Sequence, residues 1–198
     1  MSGAEHPLGV SLCGRLAEFG ALVIAVGHDD QALQDLARKQ PERIEHLVLR
    51  PGRRDVLGLL RDAWGGQPVD LFADLIGLMP QRETPGDQPA RRGFAQSAGV
   101  AAALAEGIRA GKAFCTLAIP QADGEPTPDQ QARSAGCTAL ARSFSKDVSP
   151  GRLLGLRLPE MPFDWTDARL ISAGDTILMM CHPVSRGLAN GSVLEWQG

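Results

Sequence analysis

The side chains that could do acid/base, nucleophilic or metal chemistry here are four histidines, four cysteines and a scatter of carboxylates, and the chain contains no tyrosine. His6, His28, His46 and His182 stand far apart, and no Gly-x-Ser-x-Gly elbow offers a nucleophile to any of them. A Ser-His-Asp hydrolase is therefore unsupported. Cys13, Cys115, Cys137 and Cys181 form no Cys-x-x-Cys pair and read as reduced, mostly buried thiols. Cys181 and His182 are adjacent, but zinc needs a second ligand pair that the sequence lacks, so no metal is expected. Gly107-x-x-x-Gly111-Lys112 is one residue short of a phosphate loop and leads from helix into strand. Phosphate cradling requires the reverse order, with helix N–H groups aimed at the anion. Asp74 and Glu160 remain as carboxyls that a novel acid/base mechanism could use, although no motif sets a partner beside either.

These residues need a scaffold, and 198 residues suffice for one domain with a substantial core. The expectation is a single domain over residues 1–198. A net charge of −3 and a pI near 5.8 leave no electrostatic footprint for nucleic acid, and the pairs Arg53-Arg54 and Arg91-Arg92 are isolated. Apolar runs such as Leu22 to Val26 are far short of a membrane span, and MSGAEHPLG has no basic segment leading into an apolar one. A soluble, cytoplasmic protein is expected.

Apolar residues recur at helical spacing from Leu12 to Phe19, Gly20 stops that helix, and Ala21 to Val26 reads as a buried strand. The unit then repeats. Asp30 can cap a helix ending before Pro41, with a strand at Ile44 to Leu49; a helix from Asp55 to Trp64 leads to a strand at Val69 to Ala73. Two Pro-rich loops, at 80–90 and after Ile119, precede small-residue helices near Phe94 to Arg109 and Asp129 to Val148. Strands at Ala113 to Ile119, Leu153 to Leu158 and Ser192 to Trp196, with a helix near Asp175 to Cys181, complete the pattern. Strands alternating with helices in this way imply a doubly wound, Rossmann-like α/β fold with a parallel sheet covered on both faces.

Three segments carry a family resemblance. Gly9 followed by Gly20-Ala21 and a buried strand, the run Leu140-Ala-Arg-Ser-Phe-Ser-Lys-Asp-Val-Ser-Pro150, and the closing Gly191-Ser-Val-Leu-Glu-Trp-Gln-Gly198 together resemble the short-chain dehydrogenase/reductase family over nearly the whole chain. The resemblance implies a Rossmann-like sheet, here expected to lack the first strand, since nothing precedes Met1, and the substrate lid. It also implies stations for chemistry, and these are degenerate. The Thr-Gly-x-x-x-Gly-x-Gly turn falls on Ser2, Gly3, Pro7 and Gly9, so a proline with no N–H stands where a backbone amide should meet phosphate. The ribose selector falls on Gly27-His28, with Asp29 and Asp30 close by; the aspartate after the third strand falls near Arg50; the Asn-Asn-Ala-Gly segment becomes Asp74-Leu75-Ile76-Gly77. The catalytic serine station falls on Leu117 or Ala118, the tyrosine on Gln130 and the lysine on Ser134, while the usual Pro-Gly becomes Pro159-Glu160. Neither Gln nor Ser can supply the proton that a phenol exchanges with a substrate oxygen. No catalytic and no cofactor-binding residue is expected in this chain.

The two small-residue helices carry Ala98, Ala102 and Ala105, and Ala135 and Ala139. In the family the corresponding helices pack against a neighbouring subunit, and small side chains let helix axes approach closely. The resemblance thus implies a subunit interface at these alanines, with Val193 and Trp196 of the last strand adding to it. The expected role is a non-catalytic subunit paired with an intact, NAD-dependent homologue in a heterodimer or heterotetramer, with NAD held by the partner. The family contains such a pairing in the dehydrogenase of anaerobic toluene breakdown, which oxidises a hydroxybenzylsuccinyl-CoA, so a hydroxyacyl-CoA is the implied substrate class. Two other readings stay open: a homodimeric regulator sensing a nucleotide or acyl-CoA in a vestigial pocket, and an enzyme using Asp74 or Glu160.

Overall fold

The computed structural model describes residues 1–49, 55–79, 89–122, 124–160 and 164–197. In chain order they form α1 (Pro7–Glu18), β1 (Val23–Gly27), α2 (Asp30–Lys39), β2 (Ile44–Val48), α3 (Asp55–Leu60), β3 (Leu71–Asp74), α4 (Pro89–Gly111), β4 (Phe114–Gln121), α5 (Pro128–Asp147), β5 (Arg152–Pro159), α6 (Asp167–Met180) and β6 (Val193–Glu195). Every strand pair is parallel, β1 with β2 and β3-β4-β5-β6 in that order. Parallel strands need crossovers long enough for a helix, and burial on both faces explains the apolar runs of β1 and β4, whereas β2 at the sheet edge carries the exposed Glu45 and His46. This is a Rossmann-like, doubly wound α/β fold.

The two groups of strands meet at the chain's first residues. Ser2 bridges Val26 of β1 on one side and Asp74 of β3 on the other, both in parallel sense. The Ser2 amide donates to Ala73 O at 2.8 Å, and Met1 O accepts from the Val26 amide at 2.8 Å. The turn into α1 therefore leaves from a strand position held by Ser2, not from an unstructured end. The resulting order across the molecule is β2, β1, Ser2, β3, β4, β5, β6.

Each face of the sheet is covered. Val26, Phe72, Leu117 and Leu153 pack under Val56 and Leu60 of α3, Val100, Leu104 and Ile108 of α4, and Phe144 of α5. On the other face Ala73, Ala118, Leu154 and Leu156 meet Leu8 and Leu12 of α1 and Ala173 and Ile177 of α6, while Ala25 and Ile44 meet Leu33 and Leu36 of α2. Fully burying side chains of this kind is worth roughly 1.5–3 kcal/mol each.

Helix ends depart from the sequence expectation where capping decides them. Helix α1 starts at Pro7, well before Leu12, because proline fits the first helical position and the His6 ring accepts from the Leu8 amide. Asp29, not Asp30, caps α2, accepting from the Ala32 amide at 3.1 Å. Thr166 caps α6, so that helix begins at Asp167 rather than near Asp175. Helix α3 runs on as a π-turn over Arg61–Gly65. The first Pro-rich loop lies mostly outside the described residues, and Pro89 already belongs to α4.

Candidate functional site

The carboxyl ends of the strands, where an open α/β sheet forms its binding crevice, hold most of the residues singled out above. The turn from Ser2 into α1 keeps two of its glycines for packing. A Cβ on Gly9 would stand 2.7 Å from Gly3 O and 2.8 Å from Ala4 O, and one on Gly3, at φ +70, would meet the Leu75 carbonyl carbon at 2.8 Å. A helix N-terminus attracts anions through its free N–H groups. Here the first turn has few to offer, because Pro7 has no N–H and the Leu8 amide is already given to His6 Nδ1 at 3.2 Å. The His6 ring is buried edge-on against Trp165, with centroids 5.4 Å apart, and burial lowers its pKa to about 4.

Beside this turn stands Glu5, which sequence reasoning missed. Its Oε1 accepts the His28 amide at 2.6 Å, and its Oε2 sits where a side chain at Gly27 would project. The carboxylate thus fills the end of β1 at the expected ribose-selector position, putting negative charge where a phosphate would approach. His28 adds a strap: its Nδ1–H donates to Leu49 O at 2.7 Å, and Nε2 lies 3.2 Å from the Gln96 side-chain amide. Asp29 and Asp30 are both engaged on α2, Asp29 as its cap and Asp30 accepting from Gln34 at 2.8 Å. Arg50 lies outside the described residues.

Asp74 is completely buried at the end of β3 and accepts the Ile76 amide at 2.9 Å. Burial pushes its carboxyl up, opposed by that amide, by the Ser97 and Ser2 hydroxyls and by the Met1 ammonium. Gly77 survives because a Cβ there would meet Ala118 O at 2.9 Å.

The positions expected as degenerate catalytic stations fall within β4 and in the first two turns of α5, and Glu160 follows the end of β5. Ala118 is fully buried in the core beneath α1 and α6, and Leu117 points into the opposite core. Gln130 closes a capping box at the start of α5: its side chain accepts the Thr127 amide at 2.8 Å, and its own amide donates to Thr127 Oγ1 at 3.3 Å. The Gln130 side-chain N–H also donates to Glu160 Oε1, while Arg133 reaches Glu160 Oε2 at 2.8 Å. Glu160 and Arg133 keep 8% and 14% of their side-chain surface, so this is a largely buried ion pair whose loss on one side would strand a charge. Ser134 is half-buried one turn on, its carbonyl accepting from the Thr138 hydroxyl at 2.8 Å. The fold brings Gln130 and Glu160 together; it seals Asp74 away in the interior. The residues missed were Glu5 and Arg133. Arg133 carried a faint signal in its helical spacing from Asp129, whereas Glu5 carried none.

Elsewhere, burial raises the Cys13 and Cys181 thiols to about 11 and Cys137 to about 12, and raises Cys115 as well, so none is poised as a thiolate. His182 Nδ1 accepts the Val184 amide at 3.2 Å. No cluster of three His, Cys, Asp or Glu fit to hold a metal exists among the described residues. Of the alanines expected at a subunit interface, Ala102, Ala135 and Ala139 are exposed and Ala98 and Ala105 half-buried. Val193 pairs with Gly155 in the sheet; Trp196 stacks on Trp165 at 5.7 Å and donates to Ser172 at 3.1 Å.

No family model and no curated protein matches the sequence. Solved structures do. An oxidoreductase of the short-chain dehydrogenase/reductase family from Brucella ovis, in complex with a partially ordered NAD, superposes with a TM-score of 0.73 at 17% identity, covering 99% of this chain and 97% of that one. A hydroxysteroid dehydrogenase from Escherichia coli gives 0.73 at 14% over 100% and 93%, and an acetoin dehydrogenase from Salmonella typhimurium gives 0.71 at 13% over 98% and 92%. The chain therefore has the fold of the short-chain dehydrogenases/reductases. No helix among the described residues is long and apolar enough to cross a membrane.

Proposed function

We propose that this chain is a degenerate, catalytically inactive short-chain dehydrogenase/reductase that serves as the silent subunit of a hetero-oligomeric oxidoreductase. The observation that carries the reading is the fate of the tyrosine station. Gln130 is committed to the Thr127 capping box and to Glu160, and Arg133 holds Glu160 in turn. An amide bound on both sides has no proton to exchange with a substrate oxygen, and Ala118 and Ser134 offer no replacement. The cofactor crevice agrees with this. The pyrophosphate of a dinucleotide would meet Pro7, a spent Leu8 amide and the nearby Glu5 carboxylate in place of N–H donors, so these residues do not fit the phosphates of NAD. NAD and the reactive side chains are assigned to an active homologue, docked on the exposed alanines of α4 and α5 and along β6. The hydroxyacyl-CoA substrate class of the pair follows from family precedent alone.

The test is to purify the chain alone and co-expressed with an intact short-chain dehydrogenase encoded beside it, and to titrate each preparation with NAD and NADP by calorimetry. Co-purification as a stoichiometric complex is expected, with cofactor bound only by the complex. The isolated chain carrying Gln130→Tyr and Ser134→Lys is expected to stay inactive, because the crevice remains filled. Dinucleotide turnover by the unmodified chain alone, or a stable preparation that never retains such a homologue, sinks the proposal.

A further inference from the structure

In a parallel sheet every link from a helix into the next strand reaches the amino end of the strands, opposite the crevice. The large apolar side chains left exposed among the described residues gather at that end. Phe19 and Leu22, 77% and 78% exposed, stand on the link from α1 to β1; Val184, 70% exposed, and Leu188 stand on the link from α6 to β6; Met179 is exposed in the last turn of α6. Of this class only Leu59 and Ile171 lie elsewhere. The two links form one rim. Arg15 pairs with Asp175, and Gly174 packs on Arg15 and Leu12, so α1 and α6 run side by side in the same direction. One turn beyond that ion pair on each helix, Phe19 comes level with Met179.

Much of the main chain at both tips is already bonded within the protein. The Phe19, Gly20 and Ala21 amides donate to Arg15, Ala17 and Leu16 carbonyls at 3.1, 2.9 and 3.0 Å, and Gly20 O accepts from the Arg43 guanidinium at 3.0 Å. In the second link the Val184 amide donates to His182 Nδ1 at 3.2 Å, the Leu188 amide to Ser185 O at 2.9 Å, and Leu188 O accepts from Arg152. Exposed cations stand among the apolar tips. Lys39 ends α2 just before Arg43, Arg186 lies two residues beyond Val184, and Lys112 and Lys146 lie further round the same end. Helix C-termini attract cations in any case, and Glu18 and Glu42 are interspersed here. Helix electrostatics does not account for apolar side chains projecting between those cations. Projecting aromatic and aliphatic tips with bonded main chain, set among Lys and Arg, match the headgroup boundary of a bilayer, where the tips enter and the cations meet lipid phosphate. We propose that the amino end of the sheet is a peripheral docking surface for an anionic lipid bilayer, entered by Phe19, Leu22 and Val184 and held by Lys39, Arg43 and Arg186. Docked in this way, the molecule turns its crevice to solvent and keeps the exposed faces of α4 and α5 at its flank. The surface and the silent-subunit role are separate, and either holds without the other.

The experiment sediments the chain with vesicles of a roughly 3:1 mixture of phosphatidylcholine and phosphatidylserine, and with phosphatidylcholine alone. Binding to the anionic vesicles is expected, with a partition coefficient at least about tenfold lower without phosphatidylserine or in high salt. Phe19→Ser combined with Val184→Ser should lower it by on the order of 10–100-fold, and Lys39→Gln combined with Arg186→Gln by about tenfold. Leu59→Ser removes an exposed apolar side chain from α3 and should leave binding unchanged. Absence of vesicle binding by the unmodified chain overturns the proposal, and so does a loss on Leu59→Ser equal to the loss at the tips. Light scattering on the same samples identifies the other occupant: self-association abolished by the serine pair, with no vesicle binding, would make the rim a seat for a second copy and refute the lipid assignment. Should the serine pair fail to fold, undiminished binding by the Lys39→Gln, Arg186→Gln protein refutes it as well.

Discussion

His6 is the residue whose chemistry is most altered by its surroundings. Its Nδ1 is committed to the Leu8 amide, Nε2 has no partner among the described residues, and the ring lies against Trp165 in the core. Burial therefore keeps the ring neutral, with a folded pKa of about 4 against an ordinary value of 6.5. The sign follows from linkage. Between those two values the unfolded chain binds a proton that the folded chain refuses, so folding stability falls as pH drops from 6.5 and levels off below about 4. The full loss amounts to about 3 kcal/mol. His6→Asn keeps an acceptor at the cap but cannot titrate. Urea unfolding at pH 7 and pH 4 should show wild type losing that amount beyond whatever His6→Asn loses, and parallel pH profiles for the two proteins would refute the assignment.

At the level of elements, the start of α5 joins local capping to tertiary structure. Thr127 and Gln130 satisfy each other's backbone N–H groups, and the same Gln130 side chain reaches Glu160 beyond β5. Thr127→Ala removes only the local half and should cost about 1 kcal/mol. Gln130→Ala also takes a bond from a buried carboxylate and should cost about 2–3 kcal/mol. Chemical denaturation measures both, and equal costs would mean that the Glu160 contact contributes nothing. This junction also marks how far the sequence could be read. The α/β alternation was legible because most strands are short apolar runs set off from the helices by glycine, proline or a capping residue, as Gly20 separates α1 from β1. Spacing from Leu140 and Gly9 placed Gln130 and Gly3, which the structure puts in the first turn of α5 and in the turn before α1. The cap by His6 was hidden because histidine is an uncommon N-cap, and Pro7 looked only like damage to a phosphate turn when it is also a good first helical residue. Arg133 with Glu160, and Glu5 with His28, join residues distant in sequence; no local pattern announces such pairs.

For the molecule as a whole, the sheet is two parallel ladders of unequal depth. Strand β4 pairs with β5 from Phe114 through Gln121 with neighbours on both sides, whereas β1 pairs with β2 over the shorter stretch Val23 to Gly27. Local opening takes its free energy from the contacts that a unit shares with the rest. Amides of β1 and β2 should therefore exchange at least tenfold faster than those of β4 and β5, by native-state exchange mass spectrometry. Uniform protection across the sheet would show that the two ladders open as one. The seam also has a mechanical side. Among the described residues, the main-chain bonds onto β3 from the β1 side all pass through Ser2: its amide to Ala73 O, and its carbonyl to the Leu75 amide, each at 2.8 Å. A tether pulling β2 away from β5 would load those two bonds in series with the side-chain packing of Val26 on Phe72 and of α1 on α6, so the main-chain link between the two ladders is one residue wide and its resistance to force comes from the core around it.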